Sequence, residues 1–405
     1  MEFKAFNLNP RVEAGLASTG FITPTPIQSE AIPSVMNGRD IMGQAQTGTG
    51  KTAAFVLPIL HRLMQGKRGH VRSLIIAPTR ELAEQIHNTL NNLGKETRMR
   101  MVAVYGGVNI NTQIQKLNQG AEIVVACPGR LLDHLDRGTI DISRVEVLVI
   151  DEADRMFDMG FLPDIRKILK NLPQERQTLL FSATMPKEIY GLAEDILNDP
   201  ITIKIGAATT AETVSHAHYP VSQHLKTAFL VKLLGHISCR SVLVFTRTKR
   251  RAKILGEQLT RAGFSSTSLQ GNLSQSRRQA AIDGFRNGKF QVLVATDIAA
   301  RGIDVCQISH VINYDIPDSP DAYIHRIGRT GRAGQNGDAF TLITSDDKQM
   351  VNAIDRVVGS KVEHRTLKDF DYSAPVPKKH VPIASGFQRR GKFEIFGFKR
   401  ATRVA

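Results

Sequence analysis

The sequence is poor in cysteine: Cys127, Cys239 and Cys306 stand far apart in 405 residues and form no C-x-x-C pair. That argues against a disulfide framework and a structural zinc site, and it suits a reducing cytosol. Long hydrophobic runs are also missing. The apolar stretches are five or six residues long, far short of the roughly 20 needed to span a bilayer. The first residues mix Glu2, Lys4 and Asn7 with Phe3, Phe6 and Leu8, which is not the apolar core of a signal peptide. A soluble cytoplasmic protein with no membrane association is expected. No short internal repeat is present. Acidic residues are outnumbered, 38 against 53 basic, for a net charge of +15, and such an excess favours a polyanionic partner.

What is there is enough for more than one core. A chain of 405 residues with 41% hydrophobic content suggests two domains plus a tail. Short apolar runs alternate with helix-period segments, the pattern of βαβ units and a parallel sheet. Strands are expected at Asp40–Gly43, Ser73–Ala77, Met101–Val104, Glu122–Ala126, Val147–Ile150 and Thr178–Phe181. After a small, polar stretch comes a second series: Ser241–Phe245, Gln291–Ala295, His310–Tyr314 and Ala339–Ile343. The expected layout is a first α/β domain over 1–205, a linker over 206–216 and a second domain over 217–365. A flexible tail over 366–405 holds nine basic against three acidic residues. Phe387, Phe393, Phe396 and Phe398 are interleaved there, a mixture suited to single-stranded nucleic acid, though a solvated tail without a dedicated role fits equally well.

The stretch Ala45–Thr52, AQTGTGKT, has the form of a phosphate-binding loop. Gly48 and Gly50 let backbone N–H groups converge on one anion, and a helix opening near Lys51 adds its dipole. Lys51 would reach the terminal phosphates and Thr52 would ligate Mg²⁺. Ala45 stands where the usual pattern begins with Gly. A second signal is the apolar run Val147–Ile150, which ends in Asp151, Glu152, Ala153 and Asp154. A parallel strand aims such carboxylates at a nucleotide. Asp151 would hold Mg²⁺ through water, and Glu152 would orient and deprotonate an attacking water.

With DEAD at Asp151–Asp154 and AQTGTGKT upstream, the chain resembles the DEAD-box ATP-dependent RNA helicases, and the short bacterial RhlE-type branch in particular. The likeness covers roughly Phe3 to Ile343, with many motifs in family order. It implies two tandem RecA-like domains, each an α/β parallel-sheet fold, with ATP and RNA bound across the cleft between them. It assigns ATP contacts to Ala45, Gln46, Thr47, Gly48, Thr49, Gly50, Lys51 and Thr52, and to Asp151. The stretch GFITPTPIQ, Gly20–Gln28, is similar to the adenine-recognition segment. A Gln28 amide can accept from adenine N6 and donate to N7, with Phe21, or the more distant Phe3, near the base. By the same resemblance Pro78 and Arg80 of PTREL, Gly107 of the double glycine and Arg130 of CPGR face the RNA backbone. Cys127 replaces the family's threonine, so no RNA contact is expected of it. From the second domain Thr246, Gly271 and Thr296 join the RNA side, and Gly302 and Asp304 of ATDIAARGIDV join the ATP side. Ser182 and Thr184, with Asp154 and His325, would couple nucleotide state to strand separation. Arg329 and Arg332 of HRIGRTGRAG would reach the γ-phosphate as arginine fingers, for which a guanidinium fork is suited.

The implied activity is RNA-dependent ATP hydrolysis driving local unwinding of short duplexes or remodelling of RNA–protein complexes. ATP and Mg²⁺ are the expected cofactors, and single-stranded RNA and short duplexes of low sequence specificity the expected ligands. The tail would serve any protein partners, and a monomer is expected. Two rivals stay open: a DNA translocase or other P-loop remodelling ATPase, and a non-catalytic RNA clamp, which would require a broken ATP site.

Overall fold

The structure, a computed structural model, describes residues 2–45, 48–205, 214–237, 240–300, 308–331, 337–359 and 362–375. Seven strands form the first sheet: β1 Ile41–Gln44, β2 Ser73–Ile76, β3 Met101–Val104, β4 Ile123–Ala126, β5 Val147–Ile150, β6 Gln177–Ser182 and β7 Ile201–Lys204. Their order is β3-β4-β2-β5-β6-β1-β7, and every pairing is parallel. The second sheet contains β8 Val214–Pro220, β9 Val242–Phe245, β10 Ser266–Leu269, β11 Val292–Ala295, β12 His310–Asn313, β13 Gly337–Ile343 and β14 Glu363–His364. Its order, β10-β11-β9-β12-β13-β8-β14, is the first order with seven added to each label. The chain therefore repeats one topology, which is the pair of like sheets the sequence suggested.

Continuous apolar strands arise because both faces of the sheet are covered. Val147 and Val149 of β5 pack into a core with the helix Lys51–Leu63, whereas Leu148 and Ile150 pack against Leu131, Ile165 and Leu192 on the other face. Four strands escaped the sequence reading: β7, β8, β10 and β14. All are polar or short (ITIK, VSHAHYP, STSL, EH), and three of them, β7, β10 and β14, sit at sheet edges, where burial on both faces is not required. Val214–His216 of the expected linker are already strand; residues 206–213 lie outside the described set. The chain divides into two compact units, 1–370 and 371–405, so the segment 366–370 belongs with the sheets rather than the tail. Phe370 packs edge-on against Phe229, 5.1 Å between centroids. Among the described residues no helix is long and apolar enough to cross a membrane.

Because each sheet is parallel, the carboxyl ends of its strands share one edge, where ligands bind in open α/β sheets. The segments that follow β1, β2, β3, β4, β5 and β6 carry the candidate residues Ala45, Arg80, Gly107, Arg130, Asp151 and Thr184 respectively, with Arg80 and Arg130 in the first turns of helices.

Candidate nucleotide site and nucleic-acid interface

The phosphate loop leaves β1 with the Ala45 N–H donating to the Ser182 carbonyl at 3.0 Å. Ala45 is buried in the first core and is not among the positive-φ residues. A methyl is therefore both accommodated and packed where the usual pattern has glycine. Gly48 and Gly50 do require glycine, with φ of 88° and 93°. Lys51 opens the helix Lys51–Leu63, and its ammonium donates to the Ala45 carbonyl at 2.8 Å. That contact ties the first residue of the helix back to the residue that follows β1; Thr52 beside it is half-buried. Gln46 and Thr47 lie outside the described residues.

Gln28 is fully buried. Its Oε1 accepts from the Thr25 N–H at 2.9 Å, and its Nε2 donates to the Gly50 carbonyl at 3.0 Å. The amide thus ties a helix cap to the phosphate loop and keeps one further lone pair and one further N–H for another partner. A Cβ at Gly50 would lie 2.5 Å from that Nε2, so this close approach also demands glycine. Phe21 is 40% exposed and meets Phe3 edge-on at 6.0 Å.

The acids after β5 are buried together: Asp151, Glu152 and Asp154 are each 5% exposed or less. Burial pushes the Asp151 carboxyl upward against the pull of the Lys51 ammonium. Burial also raises Asp154, but hydrogen bonding from Thr184 and the charge of Lys51 outweigh it, leaving its carboxyl below the usual range. Asp154 accepts from the Thr184 N–H at 2.8 Å and from its hydroxyl at 3.0 Å. The Ser182 hydroxyl accepts from the Asp154 N–H at 3.1 Å and donates to the Thr184 carbonyl at 2.7 Å. Glu152 has a left-handed backbone, φ 55°, a strained conformation that needs support from its surroundings. Its carboxylate is paired with Arg155. Among the described residues no group of three or more His, Cys, Asp or Glu side chains is placed to hold a metal ion, so a Mg²⁺ at Thr52 and Asp151 would need water and phosphate oxygens to complete its shell.

Two cavities lie between the sheets. One, of about 330 Å³, is lined by Arg155 and Asp158 from the first half and by Asp297, His325, Arg326 and Arg329 from the second. Burial lowers the His325 pKa while the charge of Asp154 opposes it, so this histidine faces the acidic cluster. Arg329 is 5% exposed. Arg332, Gly302 and Asp304 lie outside the described residues. The other cavity, of about 590 Å³, is lined by Pro78, Arg80, Gly106, Cys127 and Arg130, and opposite them by Arg247, Lys249, Gly271, Arg278 and Thr296. Gly107 lies beneath Arg80, and a Cβ there would collide with the guanidinium. Thr246 is fully buried, its hydroxyl donating to the Thr248 carbonyl at 3.4 Å; its side chain does not line the cavity. Burial pushes the Cys127 thiol up to about 12.

Several residues here were not singled out from the sequence. Arg278 binds Glu81 across the two halves, with Nε and one terminal nitrogen 2.8 and 2.7 Å from Oε1. Arg326 forks onto Asp297 at 2.6 and 2.7 Å and donates to Asn313 and the Asp315 carbonyl. Arg247 and Lys249 add charge to the larger cavity. Glu81 lies inside PTREL, Arg326 inside HRIGRTGRAG and Asp297 inside ATDIAARGIDV, so each carried a local motif signal, but which residues pair is decided by tertiary contacts.

Comparison with known proteins agrees with this geometry. Residues 25–192 match the DEAD/DEAH box helicase family and residues 225–334 the helicase conserved C-terminal domain. The chain is 42% identical over 362 residues to the DEAD-box ATP-dependent RNA helicase CshA of Bacillus subtilis, covering 89% of this chain and 73% of that protein. It is 44% identical over 363 residues to the ATP-dependent RNA helicase CshA of Listeria monocytogenes, again covering 89% of this chain, and 70% of the Bacillus cereus CshA at 43% identity. These relatives bear the CshA name and not that of the expected RhlE-type branch. Among solved structures, S. cerevisiae Dbp5 bound to RNA and ADP BeF3 superposes with a TM-score of 0.80 at 31% identity, over 90% of this chain and 95% of that one. A DEAD box protein from Methanococcus jannaschii gives 0.54 at 37% identity, over 90% and 99%. The expected tandem RecA-like architecture is borne out.

Proposed function

The chain belongs to the DEAD-box ATP-dependent RNA helicases, and we propose that it couples closure of its two RecA-like domains on RNA to hydrolysis of one ATP. The domains are taken as 1–205 and 217–365, followed by the basic tail. The observation that carries the reading is the buried cluster of Lys51, Asp151, Glu152 and Asp154 at the edge of one sheet, with Arg329 and His325 on the facing domain.

In this reading Lys51 and the loop amides bind the phosphates, Gln28 reads adenine and Phe21 flanks it. Thr52 and Asp151 would hold Mg²⁺, which would supply positive charge against the phosphates. Glu152 takes a proton from water as its oxygen attacks the γ-phosphorus and the bond to ADP breaks. Arg329, with Arg332, neutralises the charge that builds up, an effect worth about 10³–10⁵ in rate for such fingers. Since the finger belongs to the second domain, hydrolysis waits for closure. Asp154, bound to Thr184 and facing His325, links that closure to the nucleotide. Pro78, Arg80, Gly107, Arg130, Gly271 and Thr296 hold the RNA backbone; Thr246 acts through the backbone of its buried strand end. A cytoplasmic monomer, with the tail adding charge for RNA or partner proteins, completes the proposal.

Glu152→Gln tests it: turnover is abolished, while ATP still binds and RNA is held more tightly. Hydrolysis at the parental rate would remove Glu152 from the mechanism. Comparing ATPase stimulation by single-stranded RNA and DNA tests the ligand; equal stimulation would sink the RNA assignment.

A further inference from the structure

Arg80 and Arg130 converge on the double-glycine turn. A Cβ built on Gly106 would lie 3.4 Å from a terminal nitrogen of Arg80 and 3.9 Å from one of Arg130. Two guanidinium groups brought to one glycine repel each other, so Arg130 needs acceptors to keep it there. It has three. The Val108 carbonyl accepts at 3.2 Å from an exposed loop, and Asp133 lies 3.4 Å from Nε but is 38% exposed, where an ion pair contributes little. The third is Gln113, 4% exposed, whose Oε1 accepts from Arg130 at 3.3 Å.

Gln113 sits in the helix Ile110–Asn118, which Asn109 caps by accepting from the Asn111 N–H at 2.9 Å. Together with Leu117 one turn on, it forms the buried face of that helix. Its orientation follows from its neighbours. The Tyr105 carbonyl can only accept, so the Gln113 amino group faces it, at 2.9 Å. The amide oxygen is thereby turned to Arg130 and to His134 Nε2, 3.0 Å away. An amide oxygen cannot donate, so His134 carries its proton on Nε2 and its Nδ1 accepts from the Thr139 hydroxyl at 2.8 Å. His134 is fully buried. Burial and then the Arg130 charge lower its pKa, which keeps the ring neutral in this role. Arg130 and His134 lie one turn apart on the helix Pro128–Asp136, and Gln113 bridges both of them to the residue before the double glycine.

We propose that Gln113 is a positioning residue for RNA: with His134 locked behind it, its amide fixes Arg130 relative to the Gly106–Gly107 turn so that Arg80 and Arg130 present one phosphate site. The inference rests on the RNA-side reading of Arg130, and it assigns to Gln113 no contact with RNA or ATP.

The test is the RNA concentration giving half-maximal ATPase stimulation, measured with the full chain alongside KM for ATP and kcat at saturating RNA. Gln113→Leu should raise the half-maximal RNA concentration about tenfold, the order of one hydrogen bond to a charged group, and leave KM for ATP and kcat at parental values. Gln113→Glu keeps the oxygen that accepts from Arg130 and His134 but loses the bond to the Tyr105 carbonyl, and should recover part of the loss; it also decides the matter if the leucine variant does not fold. Adding Gln113→Leu to Arg130→Ala should cost nothing further, because the two act through one guanidinium. If Arg130→Ala alone leaves RNA dependence unchanged, the RNA-side reading fails. If Arg130→Ala weakens RNA but Gln113→Leu does not, the positioning role fails. Equal losses in the leucine and glutamate variants, additive losses in the double variant, or a fall in kcat together with a rise in KM for ATP would also overturn it.

Discussion

Removing the Arg278 side chain, as in Arg278→Ala, should separate the two domains rather than unfold either one. Glu81 is 6% exposed and Arg278 12%, and both nitrogens of the fork address one oxygen, Oε1, at 2.7 and 2.8 Å. Deleting one partner of such a buried pair typically costs about 3–5 kcal/mol, because the remaining charge is stranded. Here an exit exists: Glu81 lines the cavity between the domains, so parting them rehydrates it. The penalty therefore falls on the closed arrangement alone. At about 1.4 kcal/mol per tenfold, even the lower figure shifts the closed-to-open ratio more than a hundredfold. Small-angle scattering of the free protein should show a larger radius of gyration, and RNA-stimulated ATPase should need more RNA. The melting of each domain should barely move. The double variant Glu81→Met with Arg278→Met should close again, since replacing both charges by apolar groups is often neutral. Unchanged scattering and unchanged RNA dependence in Arg278→Ala would refute the argument.

Gln28→Ala should raise KM for ATP and abolish preference over GTP, since it removes both the buried amide and its bond to Gly50; intact selectivity in competition assays would discard the assignment. His218 is fully buried with both ring nitrogens unpartnered, and burial lowers its pKa to about 4 despite Asp355, with His364 and His216 adding to the fall. A depressed folded pKa means stability complete above about 6.5 and lost as pH falls toward 4. The loss should reach about 2 kcal/mol at pH 5, and His218→Leu should flatten this part of a melting-versus-pH curve. Cys127→Thr restores a hydroxyl to the cap of the helix Pro128–Asp136, where Cys127 makes no side-chain bond. It should stabilise the first domain by about 1 kcal/mol in thermal melts, and no gain would mean the hydroxyl finds no partner there.

Much of this was legible in the chain because its signals are local. A phosphate loop needs glycines at fixed offsets before a lysine, and a central parallel strand needs a run of apolar residues before its acids; both are patterns within a dozen residues. β7, β8, β10 and β14 were not legible, since edge position and pairing relaxed the hydrophobic requirement that marks a strand. Ala45 looked anomalous in the sequence and is ordinary in the fold, where its methyl fills the first core. Gln28 was read as a base-recognition residue, yet its bond to Gly50 belongs to two segments 22 residues apart.

By itself the sequence determined the fold class, the duplication and the chemistry at each strand end, because periodicity and residue type act over short distances. Tertiary structure alone decided that Arg278 meets Glu81, that Arg326 forks onto Asp297, and that Gln113 aims Arg130. Those pairings depend on side chains from separate segments sharing a low-dielectric site, where an unpartnered charge or amide is costly. No spacing along the chain records which of them will meet.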